Sequence, residues 1–346
     1  MDLAVMWHAR HPLADLARAL RLLPPRDAVQ GFWHGGPLAP LHHACLSSFI
    51  AHGHGFELYS YDAIDVPQGV TVRDAAEIVP RDGLFLFANR HTGQPDVAPF
   101  ADYFRLRLLS LRGGWWCDVD TVCLAPRLPA SDRAWARQAP EYRPESVGNG
   151  QFRLPRADPL LADLIAEAER MSGTIARRES LGPELLSRVL AEKGLPLDMA
   201  GTSDTFYPVR FIESFKLWLP EFRHEVADKA DGALFLPIFQ SFPARMGFAN
   251  DRLPPKGSYL RQVVRQYAPD ARGPQHRAAD IRSAFRAWFL QNPGFVAQLR
   301  AVSLSDVDAW LAGSDQIRKR RDRRARRKQG KGDEANRSRR QSRRVG

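Results

Sequence analysis

The chain has 346 residues, of which 44% are hydrophobic and 26% charged. That length and balance describe a globular protein with one main catalytic-sized domain and additions, and exclude a fibrous or wholly disordered chain. Cys45, Cys117 and Cys123 form neither a CxxC pair nor a disulfide framework. No run approaches the roughly 18 apolar residues of a membrane span, and the N-terminus lacks the apolar core of a signal peptide. A cytoplasmic location is expected.

Residues 1–27 are expected to be a helical extension. AVQGFWHGG then reads as a first strand: Val29, Phe32 and Trp33 supply its apolar character, and Gly35, Gly36 and Pro37 stop it. PLAPLHHACLSSFIAHG carries a helical pattern, and FELYSYD predicts a second strand ending near Asp62. Strand, helix, strand is nucleotide-binding α/β organisation, yet neither GxGxxG nor GxxxxGK[ST] occurs, so dinucleotide and P-loop sites lack their usual signature.

The stretch 106–124, LRLLSLRGGWWCDVDTVCL, is the most informative. DYFRLRLLSLR predicts a helix with Phe104, Leu108 and Leu111 on one repeat, widened by Leu106 and Leu109. Asp102 and Arg105, three apart, share a face. Gly113 and Gly114 end the helix, and WWC opens a buried strand carrying Asp118 and Asp120 to its end, where open α/β sheets bind ligands. In extended backbone Asp118 and Asp120 point the same way. Two hard oxygen ligands with few fixed partners suit Mg2+ or Mn2+ shared with a substrate's phosphates.

Downstream, residues 125–146 form a proline- and arginine-rich loop, followed by Asn149 in SVGNGQFRL. PLLADLIAEAERM is an amphipathic helix. A second helix starts at Pro183, where proline costs no hydrogen bond, with Glu184 in its first turn. FYPVRF and ALFLPIF predict late strands. Residues 277–312 are helical in pattern, with a capping box at Ser305 and Asp308.

Residues 317–346 carry 15 of the 50 Lys and Arg and 3 of the 39 Asp and Glu, so the preceding 316 residues, with 35 basic and 36 acidic side chains, are nearly neutral. Almost devoid of apolar residues, this tail is expected to be disordered. Three roles stay open for it: a solubilising tail, nonspecific RNA binding, or attachment to an anionic membrane, worth about 1 kcal/mol per basic residue at the surface.

Asp102, Arg105, the Leu-rich run, Gly-Gly, the aromatic pair and Asp118-Val119-Asp120 together resemble the DxD-containing sugar transferases related to yeast mannosyltransferases, bacterial capsular-polysaccharide transferases and the glucosylating clostridial toxins. The likeness runs more loosely from about Val29 to Leu260. It implies a GT-A-type nucleotide-diphospho-sugar transferase fold: a single Rossmann-like α/β catalytic domain over 28–270, helices over 271–316 and the basic tail. It also implies Trp33 stacking on the nucleotide base, Asp102 and Arg105 orienting donor ribose or sugar hydroxyls, and Asn149 bordering the donor sugar. Asp120 would bind the metal, with Asp118 as a ligand through water or a holder of the ribose. The pattern weakens at its far end. Relatives add a histidine or asparagine and a Gly-Ser-Trp turn; here the nearest match is Lys256-Gly257-Ser258-Tyr259, where Lys256 and Ser258 would meet pyrophosphate, with Gln240-Ser241 as the other candidate.

The expected activity is transfer of a sugar, from a UDP-sugar in preference, to a saccharide or other hydroxyl acceptor, with Mn2+ or Mg2+ and with retention of configuration. The competing readings are metal-dependent phosphoryl transfer or hydrolysis, and a non-enzymatic nucleic-acid binder acting through the tail.

Overall fold

The computed structural model describes residues 29–88, 95–171, 178–248 and 251–297, together with Ser305 and Ala309. The expected N-terminal extension, Asp308 of the expected capping box and the basic tail lie outside them.

Strand β1 (Val29–Trp33) leads through the helix Pro40–Ala51 to β2 (Phe56–Ser60), and β3 (Val70–Asp74) follows at the sheet edge. A minimal hairpin, β4 (Phe87–Ala88) and β5 (Pro95–Asp96), precedes the helix Ala98–Arg112. That helix ends at Gly113 and Gly114, with φ of 67° and 91°, a region where a side chain would meet the backbone. The reversal starts β6 (Gly114–Cys117). β7 (Thr121–Cys123), β8 (Gln151–Leu154) and β9 (Phe235–Pro237) complete the strands.

The main sheet has the order β3-β2-β1-β6-β8. β1 pairs in parallel with β2 (Val29 with Phe56, Trp33 with Ser60) and with β6 (Val29 with Trp115), β2 pairs in parallel with β3, and β8 closes the sheet antiparallel to β6. The chain leaves β1 toward β2 on one side and returns to β6 on the other. The ends of β1 and β6 therefore flank a topological switch point, where such sheets hold ligands. Trp33 and Asp118 sit at those two ends.

Adjacent residues of β6 face opposite sides. Trp115 packs with Phe49, Phe206 and Phe235 against the helix Pro40–Ala51, and Trp116 lies beneath the helix Ala98–Arg112 with Phe104, Phe152 and Leu161. Both tryptophans are buried because helices cover both faces, which is why β6 reads as an apolar run without alternation. The helices Pro159–Arg170 and Pro183–Glu192 extend the second layer, each starting at proline as expected, with Glu184 in the first turn. A third core gathers Leu217, Trp218, Leu260, Val263 and Val264 with Ile281, Phe285 and Phe289, so the helix Ala278–Gln291 shares apolar packing with residues on the other side of position 270.

Two expectations are corrected. FYPVRF is not a strand: its first residue ends the short helix Ser203–Phe206, and residues beyond it lead into a 3-10 turn at Phe211–Glu213. Pro208 has no donor for a ladder, and the buried Arg210 guanidinium bonds the carbonyls of Ser203 and Tyr207, drawing the segment into a loop. Leu111 is exposed rather than part of the buried stripe, which ends at Leu109. The expected helical segment 277–312 is helical where it is described, in two helices parted at Asn292: Ala278–Gln291 and Pro293–Ala297. Among the described residues no helix is long and apolar enough to cross a membrane.

Candidate functional site

Asp102 and Arg105 lie one helical turn apart on the inner face of Ala98–Arg112, with their charged groups directed to the end of β6. Arg105 is 3% exposed. Its two terminal nitrogens reach Asp118 Oδ1 (2.8 Å) and the Asn149 carbonyl (2.7 Å), one of them lies 3.2 Å from Asp102 Oδ1, and the guanidinium rests over the Trp116 ring, 4.8 Å from its centre. Trp116 Nε1 donates to the same Asp118 oxygen at 2.8 Å. Asn149 Nδ2 donates to Asp102 Oδ1 at 2.9 Å. Four sequence-predicted residues, Asp102, Arg105, Asp118 and Asn149, thus form one connected network. A fixed guanidinium fork bridging carboxylates is the arrangement that arginine makes and lysine cannot.

Asp118 and Asp120 do not lie in extended backbone. Thr121 N donates to the Asp118 carbonyl at 3.1 Å, so Asp118-Val119-Asp120 is a turn between β6 and β7. The two carboxylates are nevertheless neighbours. The Asp120 carboxyl is raised to about 6, first by burial and then by the Asp118 charge, with the Gln240 amide opposing. Asp102 is likewise pushed up to about 6 by burial, against the pull of Arg105.

The second candidate for the far end of the site, Gln240-Ser241, is the one the structure brings to Asp120. Gln240 N donates to Asp120 Oδ2 at 2.9 Å and Ile238 N to the Asp120 carbonyl at 2.9 Å. Between them Phe239 holds a φ of 51°, a costly conformation for a bulky side chain. Antiparallel pairing of β7 with β9 (Thr121 with Pro237) delivers this segment. Ser258, by contrast, is buried and caps the helix Tyr259–Tyr267, accepting from Arg261 N and donating to the Pro255 carbonyl; Lys256 is exposed two residues before it. Neither joins the network through these contacts.

Trp33 is half-buried at the end of β1. Its Nε1 donates to the Gly36 carbonyl at 2.7 Å, and its ring lies 4.6 Å from that of His42. His42 is buried, which lowers it to about 4, so it packs as a neutral ring, with Nδ1 accepting from Ala39 N. One flank of the indole is thereby held.

Two close approaches escape a reading of single motifs. A Cβ on Gly182 would stand 2.5 Å from Asp102 Oδ2 and 3.0 Å from Asn149 Nδ2, and one on Gly150 would stand 2.9 Å from Asp118 Oδ2. The glycines let backbone close around the carboxylates. Gly182 carries a weak signal in its place before Pro183; Gly150 carries none beyond adjacency to Asn149.

The donor set suits a divalent cation shared with a ligand. Asp118 engages Arg105 and Trp116 through one oxygen, and Asp120 engages Gln240 through one. Among the described residues no group of three or more His, Cys, Asp or Glu side chains is placed to hold a metal. Two carboxylates on a short turn fit a cation that takes its remaining oxygens from phosphates, as Mg2+ does.

No protein-family model and no curated protein matches the chain. Among solved structures, the PaToxG glycosyltransferase is 10% identical, with 76% of this chain and 93% of that chain covered and a TM-score of 0.34. The apo-form glycosyltransferase GlyE of Streptococcus pneumoniae TIGR4 is 13% identical, with 78% and 64% covered and a TM-score of 0.35. At those values the likeness assigns no activity; the functional reading rests on the site.

Proposed function

We propose that the chain is a metal-dependent glycosyltransferase of GT-A type that moves a sugar from a nucleotide-diphosphate sugar, UDP-linked in preference, to a hydroxyl acceptor with retention of configuration. The observation that carries the reading is the Asp102–Arg105–Asn149–Asp118 network, with Asp102 and Arg105 buried, set beside Asp120 at the switch point of a mostly parallel sheet. Asp120, with Asp118 directly or through water, would hold Mn2+ or Mg2+. A cation bound there would neutralise charge on the departing diphosphate as the glycosidic bond breaks.

The protein groups have separable tasks. Trp33, steadied by His42, offers a flat apolar face to the base. Asp102, kept in place by Arg105 and Asn149, accepts from donor hydroxyls, and Asn149 borders the sugar. The network makes these groups rigid before a ligand arrives, which is what orientation of a substrate demands. A phosphoryl-transfer or hydrolase centre would call for more converging carboxylates than Asp118 and Asp120 supply.

Incubation of the full chain with a panel of UDP- and GDP-sugars and Mn2+ tests the proposal. Transfer or slow hydrolysis of one donor is expected. Cleavage of a phosphate ester with no sugar released from any donor would reject it.

A further inference from the structure

Arg178 enters the site from a part of the chain that no motif marks. Its Nε donates to Asp96 Oδ2 at 2.7 Å, and Asp96 uses its other oxygen to accept from Ala98 N at 2.9 Å, fixing the start of the Asp102 helix. That helix runs antiparallel to β6, so its first turn stands above the sheet's C-terminal edge. Asp102 is four residues beyond Ala98, about 6 Å along the axis. On the other side, Gly182, four residues after Arg178, is in contact with Asp102 and Asn149. Arg178 is therefore bracketed by the start of the helix that carries Asp102 and by Gly182, which touches the network. Its side chain is 27% exposed, and its terminal nitrogens make no hydrogen bond or ion pair among the described residues.

The charges of the site call for such a group. Asp102, Asp118 and Asp120 outnumber Arg105, and the fork of Arg105 is already filled by Asp118, Asp102 and the Asn149 carbonyl. A divalent cation would bring the cluster near neutrality and leave the charge of a diphosphate unmatched. Lys256, the cation expected from sequence to meet pyrophosphate, has no tie to the network. From this we infer that Arg178, held through Nε by Asp96 with its two terminal amines unspent, is the protein cation that binds the diphosphate of the donor. The inference deepens the glycosyltransferase reading and rests on it for the identity of the nucleotide. A guanidinium offering two parallel N–H donors matches phosphate oxygens.

The test uses the full chain and its Arg178→Ala, Arg178→Lys and Lys256→Ala variants. Calorimetric titration with inorganic pyrophosphate, UDP and uridine is run in Mn2+, beside thermal melting. Arg178→Ala should weaken pyrophosphate and UDP at least tenfold while leaving uridine unchanged, Arg178→Lys should recover part of the loss, and Lys256→Ala should change neither anion. Unchanged affinity for both anions in Arg178→Ala overturns the inference. So does an equal loss for UDP and uridine with a lowered melting temperature, which would make Arg178 a strut between Asp96 and the Gly182 segment. If the unaltered chain binds pyrophosphate through Arg178 but not UDP, the anion site stands and the nucleotide reading fails.

Discussion

Replacing Arg105 with alanine is the sharpest probe of the site's construction. The side chain is almost fully enclosed and bonds Asp118, Asp102 and the Asn149 carbonyl while covering Trp116. Its removal strands the buried Asp102 carboxylate without a guanidinium, a change that costs about 3–5 kcal/mol for buried pairs. On a body of this size each kcal/mol moves the melting temperature by about 2–4 °C, so a fall of about 6–20 °C is expected. The loss should depend on pH. Asp102 already sits at about 6 with Arg105 beside it, and without that cation it rises further, so the carboxyl is neutral at pH 5 and the stranded charge exists only above that. Arg105→Ala should therefore be milder at pH 5 than at pH 8, and Arg105→Lys should fall between parent and alanine, keeping charge but not the fork. Scanning calorimetry without metal at both pH values measures this. A fall below about 2 °C at pH 8, or a larger loss at pH 5, would refute the account of a buried charge network.

Asp120→Ala should abolish Mn2+-dependent UDP binding and, by removing the carboxylate that accepts from Gln240 N, lower the melting temperature modestly; equal calorimetric affinity for UDP would dismiss Asp120 as a metal ligand. Asp102→Asn should change the pH profile of stability. The folded carboxyl, at about 6, binds protons more tightly than its ordinary value of 3.8, so the parent loses stability as pH rises from about 4 to about 6. The asparagine variant lacks that loss, and its melting temperature relative to the parent should climb over that window; a flat difference would contradict the burial argument. Trp33→Ala should weaken UDP about tenfold, in the range that stacking on an aromatic ring supplies, with a smaller effect on melting. Loss of stability with nucleotide affinity intact would return Trp33 to the core.

How much was legible in the sequence depended on whether an element's signal was local. The run from Asp102 to Asp120 was legible because helix, glycine pair and strand are contiguous, and i,i+3 spacing alone puts Asp102 and Arg105 on one face. β3 leaves little signal: VTVRD alternates apolar and polar residues over only five positions, and most of them are exposed at the sheet edge. FYPVRF misled because aromatic and β-branched content outweighed Pro208, while the contact that decides its path, Arg210 to nearby carbonyls, leaves no periodicity. Turn geometry at Asp118-Val119-Asp120 was equally hidden, since Thr121 and Gly150 fix it from outside the motif. At the far end, the match by likeness favoured Lys256 and Ser258, but the 120-residue reach from Gln240 to Asp120 is set by the pairing of β7 with β9, and strand pairing across that separation has no trace in either segment alone.

That long reach has a consequence for a chain emerging from the ribosome. Every strand of the main sheet is made by residue 154, so the Asp102–Arg105–Asn149–Asp118 network has all its parts long before Gln240 is added. Asp120 gains its backbone holders only when 238–240 arrive, seconds later at about 5–20 residues per second. Until then Asp120 lacks the backbone amides of Ile238 and Gln240 that hold it in the folded chain. The Asp118–Asp120 turn is therefore completed last, by residues made after every strand of the main sheet.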